Sequence, residues 1–294
     1  MTGGLHWRCG AHSFSLGERT LIMGIVNVTP DSFSGDGLLD TAGPDAAIAQ
    51  GLDMVAAGAD ILDVGGESTR PGSALVTAGE ELARVVPVIE GLVRRTDVPV
   101  SVDTRKPDVA RAALAAGASI VNDVGAAAAP GMFEVVGEAR AGLVLMHMQG
   151  EPKTMQDAPH YDDVVGEVRL FLAGRVDAAV EAGLERDQLC VDPGIGFGKN
   201  LEHNLALLRN IGSFRELGVP VLVGPSRKRF VGDLSGETDP AEREGGTAGA
   251  VAWCAAQLVD LVRVHDVGPM AKVLRVVDAI ARDRARAPVS GAPG

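Results

Sequence analysis

Aromatic side chains are scarce in this chain: they make up 3% of 294 residues, with one tyrosine and two tryptophans. A core must then be filled by Ala, Val, Leu and Ile, and 46% hydrophobic residues with 38 glycines is the composition of a soluble α/β protein, not a disordered one. Basic charge is also short, 27 Lys and Arg against 39 Asp and Glu, for a net charge of −12. Nucleic acid and anionic membrane surfaces both want a basic face, so neither is an expected partner and any anion site must be local. No stretch approaches the roughly 18 apolar residues of a membrane span. The start, Met1 to Leu16, lacks the charged-then-apolar layout of a signal peptide, so the expected location is cytoplasmic. The three cysteines, Cys9, Cys190 and Cys254, are far apart, and the six histidines are scattered without HxxxH or CxxC spacing. That excludes a structural zinc site and leaves the thiols as packing residues.

What is present is a regular alternation. Short apolar runs rich in β-branched residues predict strands at Leu21–Val26, Ile61–Val64, Val98–Val102, Ser119–Val124, Leu143–Met146, Leu189–Val191, Val219–Val223 and Leu261–Val264. Helix-compatible segments lie between and after them: Asp45–Gly58, Ala78–Arg95, Pro107–Ala116, Gly131–Ala141, Asp163–Gly183, Leu201–Leu217, Pro240–Gln257 and Gly268–Arg284. Several stop at glycine before the next strand. Strict alternation implies parallel strands with helical crossovers, and eight units predict a closed (β/α)₈ TIM barrel. Before the first strand, Leu5–Leu16 alternates polar and apolar residues around Cys9-Gly10-Ala11, which predicts an N-terminal β-hairpin at the barrel bottom. No linker divides the chain, so residues 1–286 are expected to form one domain, and the Pro, Gly and Ser-rich 287–294 a disordered tail.

In such a barrel chemistry belongs to the loops after the strand C-termini. The polar groups at the eight strand ends are Asn27, Asp63, Asp103, Asn122 with Asp123, His147, Asp192, the Ser226-Arg227-Lys228 group, and Arg263 with His265. Turns favour Asp and Asn, and Asp103 or Asp192 alone would serve as a helix cap. Eight polar strand ends, with bases gathered at the last two, are better explained by a site for a planar polar ring joined to an anion. Arg263 and His265 flank Val264 and so share one face of their strand. Neither Walker spacing nor a Ser-His or Cys-His pairing accompanies them, so covalent catalysis is not expected.

Eight blocks carry a specific resemblance: GIVNVTPDSFS, DVGGESTRPG, SVDTRKPDVARAAL, SIVNDV, LMHMQGEPKTMQ, VDPGIGFGK, VGPSRKRFVG and RVHDV, in order from Leu21 to Asp266. Together they resemble the dihydropteroate synthases, TIM-barrel enzymes of the folate pathway that sulfonamides target. The resemblance implies condensation of 6-hydroxymethyl-7,8-dihydropterin pyrophosphate with 4-aminobenzoate to 7,8-dihydropteroate, with release of pyrophosphate and assistance from Mg²⁺. Residue by residue, it implies that Asp103, Asn122 and Asp192 hold the pterin, with Lys228 reaching the ring and Asp63 beside it. Asn27 is the implied metal ligand. Asn27, Arg263 and His265 would form the anion pocket, closed by Thr69 and the loop that also carries Arg70. The aminobenzoate slot would use Phe33, Pro71, Phe197, Ser226 and Lys228, and Met146 and Gly224 are further expected substrate contacts.

The first glycine-rich loop departs from the family pattern, reading Ser34-Gly35-Asp36-Gly37 where the family has Ser-Asp-Gly-Gly. Two alternatives stand beside the synthase. A methyltetrahydrofolate–corrinoid methyltransferase shares the barrel and acidic rim but should lack the STRPG and SRK elements present here. A pterin-binding paralogue without activity should have lost some of Arg70, Lys228, Arg263 and His265, all of which are in place. The resemblance further implies a homodimer packed through late helices, for which the Ala-rich Gly246–Ala256 is a suitable face.

Overall fold

The computed structural model describes residues 5–28, 43–68, 76–150 and 154–282. The expectations at Phe33, Thr69, Arg70 and Pro71, the shifted 34–37 loop and the 287–294 tail lie outside these residues.

The first two strands, β1 (His6–Cys9) and β2 (His12–Ser15), pair antiparallel as the expected hairpin. The remaining chain alternates β3 (Leu21–Asn27), α1 (Gly43–Ala57), β4 (Ile61–Gly65), α2 (Ala78–Val93), β5 (Val100–Asp103), α3 (Pro107–Ala115), β6 (Ile120–Asp123) and α4 (Met132–Ala139). It continues through β7 (Gly142–Met146), α5 (Val164–Glu181), β8 (Leu189–Asp192), α6 (Leu201–Arg209), β9 (Leu222–Val223), α7 (Arg229–Ser235), α8 (Glu244–Ala256), β10 (Leu261–Val264) and α9 (Val267–Ala281). The eight strands from β3 onward are parallel and neighbour one another in the order β8-β7-β6-β5-β4-β3-β10-β9. A parallel bridge between Val191 and Val221 joins the two ends and closes the barrel.

Local chemistry sets the element ends. Thr77 and Glu80 form a reciprocal capping box at the start of α2, with Thr77 N–H donating to Glu80 Oε2 at 2.8 Å. Asn200 caps α6 through His203 N–H. Three expectations are adjusted. The helix foreseen over Leu201–Leu217 is α-helical only to Arg209 and continues as a 3₁₀ turn at Ile211–Leu217, where Ser213 Oγ donates back to the Asn210 carbonyl at 2.7 Å. The strand foreseen at Val219–Val223 is reduced to Leu222–Val223, because Pro220 has no N–H to give the ladder. An unforeseen short helix, α7, comes directly after the SRK segment and ends at Gly236, whose φ of 82° is the left-handed stop.

Burial separates into two layers. One packs the outward faces of the strands against the helix ring. The other fills the barrel interior at its N-terminal end, where Trp7, Cys9 and Leu16 of the hairpin region meet Met23, Ile61, Ile120, Val144, Cys190, Leu222 and Leu261. Trp7 and Cys9 are fully buried, and Trp7 Nε1 donates to the Gln188 carbonyl at 3.0 Å. The hairpin thus plugs the bottom and leaves the opposite mouth for chemistry. All three cysteines are buried free thiols.

Candidate active site

Strand alternation builds the site directly from the plug. Residues two apart share a face, so the step beyond Ile61, Ile120, Val144, Cys190, Leu222 and Leu261 brings Asp63, Asn122, Met146, Asp192, Gly224 and Arg263 onto the inner wall. β5 contributes Asp103, two after Ser101, while Asn27 and His265 stand at the ends of β3 and β10. Two glycines stand in van der Waals reach of these side chains. A Cβ on Gly65 would lie 3.5 Å from Asp103 Cβ, and one on Gly224 would lie 3.8 Å from Arg263 Cβ.

The centre of this wall is an ionic cluster. Arg263 donates from Nε to Asp63 Oδ2 at 2.6 Å and from Nη2 to Asp103 Oδ2 at 2.8 Å. Asn122 Nδ2 donates to the same Asp63 oxygen at 2.8 Å. Asp63 is fully buried, and its other oxygen, Oδ1, has no hydrogen-bond partner among the described residues. Burial raises the Asp103 pKa to about 7 against the pull of Arg263, and the neighbouring Asp63 charge pushes the same way as burial. Burial likewise raises Asp192 to about 6, although the Gly194 N–H, at 2.7 Å from Oδ1, and the charges of Lys228, Lys199 and Arg263 favour its anion.

A second group lies beside Asp192. Lys228 holds its Nζ 3.9 Å from the centroid of the Phe197 ring, and its stem packs against Gly196. Ser226 Oγ accepts the His265 backbone N–H at 3.2 Å and lies 3.0 Å from His265 Nδ1.

Three residues of the polar rim belong elsewhere. Asp123 accepts the backbone N–H groups of Gly125 and Ala127, so turn chemistry explains it. Arg227 forks onto Asp266 at 2.7 and 3.1 Å. His147 points to the outer layer and meets Phe171 of α5 edge-on at 4.9 Å. Conversely, neither Asp103 nor Asp192 caps a helix: Lys106 occupies the cap of α3 and Asn200 that of α6.

The family model for pterin binding enzymes matches residues 23–265. The dihydropteroate synthase of Synechocystis sp. is 45% identical over 274 residues, covering 93% of this chain and 94% of its own. The chain belongs to the dihydropteroate synthase family. Among solved structures, the Xanthomonas albilineans dihydropteroate synthase with 4-aminobenzoic acid superposes with a TM-score of 0.88 at 49% identity, covering 94% of this chain and 98% of its own. The same organism's enzyme in complex with 7,8-dihydropteroate gives a TM-score of 0.84 at 46% identity, with the same coverage of both chains.

Two features of this dihydropteroate synthase family member are not among the residues expected from its sequence. Lys199 is a lysine only 2% exposed, directly behind the Phe197 turn. Lys106 bridges Glu67, at 2.8 Å, and the fully buried Glu81, while Glu67 Oε1 accepts the Val76 N–H at 3.2 Å. The sequence signal for Lys199 was its place at the end of the glycine-rich VDPGIGFGK block. Lys106 likewise stands within the SVDTRKPDVARAAL block, but its partners, which come from α2 and the stem after β4, left no pattern.

Proposed function

We propose that this chain condenses 6-hydroxymethyl-7,8-dihydropterin pyrophosphate with 4-aminobenzoate, forming 7,8-dihydropteroate and releasing pyrophosphate. The observation that carries this reading is the acceptor wall, buried Asp63, Asn122 and Asp192 with half-buried Asp103, set on inner-face positions beside Arg263 in a member of this family. A pterin presents an amino group and ring N–H donors along one edge. Carboxylate and amide oxygens in a dry pocket are the acceptors that such an edge requires. Asp192 takes the amino group and ring N–H in this reading, and Asn122 and Lys228 complete the ring contacts.

Charge orders the reaction. Cleavage of the C–O bond to pyrophosphate leaves a cation delocalised into the dihydropterin, and the Asp103 and Asp192 carboxylates favour it as it forms. Arg263 and His265 favour the leaving group from the other side. The aromatic amine then attacks the exocyclic carbon, and the resulting anilinium gives its extra proton to water. Its ring takes the slot beside Phe197 and Lys228, with Ser226 near its carboxylate; Phe33, Thr69, Arg70 and Pro71, outside the described residues, complete that slot and the anion pocket in the same reading.

Asn27 is half-buried at the end of β3, and its amide oxygen is a hard donor of the kind Mg²⁺ accepts. Among the described residues no group of three His, Cys, Asp or Glu side chains could hold an ion. An ion at Asn27 therefore fits if pyrophosphate oxygens and water supply its other ligands, and its chemistry would be to neutralise the leaving group.

A homodimer accompanies this reading. An apolar groove of about 480 Å³ runs between α6, α7 and α8, lined by Leu208, Phe230, Leu234 and Trp253, and Leu234 and Trp253 are exposed large hydrophobic residues. A cytoplasmic location is also part of it; among the described residues no helix is long and apolar enough to cross a membrane.

The test is pyrophosphate release with Mg²⁺ and the pterin pyrophosphate, with and without 4-aminobenzoate, alongside detection of dihydropteroate. Product that requires both substrates is expected. Saturable pterin binding without turnover would reject the synthase and make methyl transfer the next reaction to assay.

A further inference from the structure

Lys199 is a buried amine for which the reaction as described has no use. Its Nζ lies 3.0 Å from His147 Nδ1 and donates to the carbonyls of Phe197, at 2.9 Å, and His147, at 3.4 Å. None of these partners is an anion, so a charged lysine here is stabilised chiefly through space by Asp192. Burial pulls its pKa down to about 7, with Asp192 acting to raise it and Lys228 to lower it.

The turn in front of Lys199 is held from several sides. Gly194 and Gly198 have φ of 70° and 61°, and a Cβ at either would overlap the backbone carbonyl oxygen of His147 or Gln149. Gly196 N–H donates to Asn204 Oδ1 at 2.7 Å, Gln156 Nε2 to the Gly196 carbonyl at 2.9 Å, and Tyr161 Oη to the Gly198 carbonyl at 2.8 Å. One face of this turn carries Lys228 and the Phe197 ring; Lys199 grips the Phe197 carbonyl from behind.

We propose that Lys199 is a positioning residue for the reaction, fixing the Phe197 wall of the aminobenzoate slot through the Phe197 carbonyl, with its buried amine as a further support, beside Lys228, for the Asp192 carboxylate. The proposal rests on the synthase reading above. The groups facing Lys199 are His147 from the end of β7, Asp192 from β8, Lys228 after β9 and His203 on α6; Arg263 from β10 acts on Asp192. The Lys199 charge favours the Asp192 anion together with Lys228 and the Gly194 N–H, so the acid limb of kcat/KM is expected to move to higher pH when that charge is removed.

Two variants separate charge from grip. Lys199→Gln keeps N–H donors for the Phe197 carbonyl and removes the charge, whereas Lys199→Met removes both. The measurements are pH profiles of kcat/KM, KM for each substrate and melting temperature. For Lys199→Gln we expect the acid limb at higher pH with KM for 4-aminobenzoate nearly unchanged. For Lys199→Met we expect the same displaced limb and a KM for 4-aminobenzoate raised about tenfold, the scale of one lost hydrogen bond. Unaltered limbs and KM values with only a lowered melting temperature would reduce Lys199 to packing and overturn the proposal. If Lys199→Met does not fold, the limb of Lys199→Gln decides. Wild-type protein without turnover would instead remove the synthase reading, and this proposal with it.

Discussion

Arg263 and Asp63 are 200 residues apart in the chain and meet at 2.6 Å on the inner wall of the barrel. Asp63 is fully buried and Arg263 keeps 20% of its side chain exposed, so the pair sits at the boundary between the packed interior and the mouth. One guanidinium holds two carboxylates from adjacent strands, Asp63 on β4 and Asp103 on β5. The cluster therefore fixes the register of the acceptors as well as their charge.

Removing the cation should be costly for that reason. Arg263→Met leaves two carboxylates without their shared partner, and breaking a buried pair of this kind costs about 3–5 kcal/mol. The urea midpoint is expected to fall accordingly and activity to be lost. Adding Asp63→Asn should return part of the stability, because one uncompensated charge is gone, without returning activity. An Arg263→Met protein as stable as wild type would show that the cluster does not bear on folding.

The raised carboxyl groups set a pH dependence with a definite sign. Asp103 has a folded pKa of about 7 and Asp192 of about 6, against an ordinary aspartate value of about 3.9. The folded protein keeps protons that the unfolded chain releases, so these groups contribute fully below about pH 4 and the contribution is lost as pH rises through 6 to 7. The stability of wild type relative to Asp103→Asn should therefore fall from about pH 4 to about pH 7, as urea unfolding at several pH values would measure. Activity runs the opposite way. If the carboxylates favour the cation, kcat/KM falls on the acid side through the same range, and an enzyme equally active at about pH 5 and 8 would contradict their role.

Much of this wall was legible in the sequence because a strand has period two. Once Ile61, Cys190 and Leu261 are read as interior residues, Asp63, Asp192 and Arg263 fall on the same face two positions later with no further information. The hairpin was legible from alternation, and Trp7 and Cys9 are its members that enter the barrel. Contacts made across strands were not legible. Nothing in RVHDV says that its arginine is bound to Asp63 and Asp103, or that Arg227, and not Arg263, pairs with Asp266. Lys199 escaped for the same reason: its partners are the ring of a histidine 52 residues away and two backbone carbonyls, none of which leaves a pattern. The short helix α7 was hidden because it spans 7 residues, too few to display a helical period.

The plug offers a test independent of chemistry. A Cβ on Gly142 would sit 2.5 Å from Cys9 Sγ and 3.4 Å from Ile120 Cγ1, so Gly142→Ala overfills the bottom of the barrel. The expected cost is about 1–3 kcal/mol, with turnover per folded molecule retained. Cys9→Ala removes the obstructing sulfur, so the double variant should be more stable than the sum of the two single losses predicts. Strict additivity in chemical denaturation would mean that the two side chains do not compete for the same space.

Ser226 and His265 make the last prediction, because one hydroxyl contacts both the backbone and the ring of the histidine. Ser226 Oγ accepts the His265 N–H at 3.2 Å and lies 3.0 Å from Nδ1, within reach for its own hydrogen to be donated to that nitrogen. An Nδ1 that accepts this hydrogen keeps the neutral ring protonated on Nε2, and that N–H is then the donor available to an anion. Ser226→Ala releases the ring and the tautomer together, so KM for the pterin pyrophosphate should rise about tenfold, as for one lost hydrogen bond, while Ser226→Thr retains most of the wild-type value. The direct check is the nitrogen spectrum of His265: wild type should show the Nε2-protonated form at neutral pH and Ser226→Ala a mixture. If the alanine variant keeps both the tautomer and the KM, the serine acts on 4-aminobenzoate alone and His265 is oriented by other contacts.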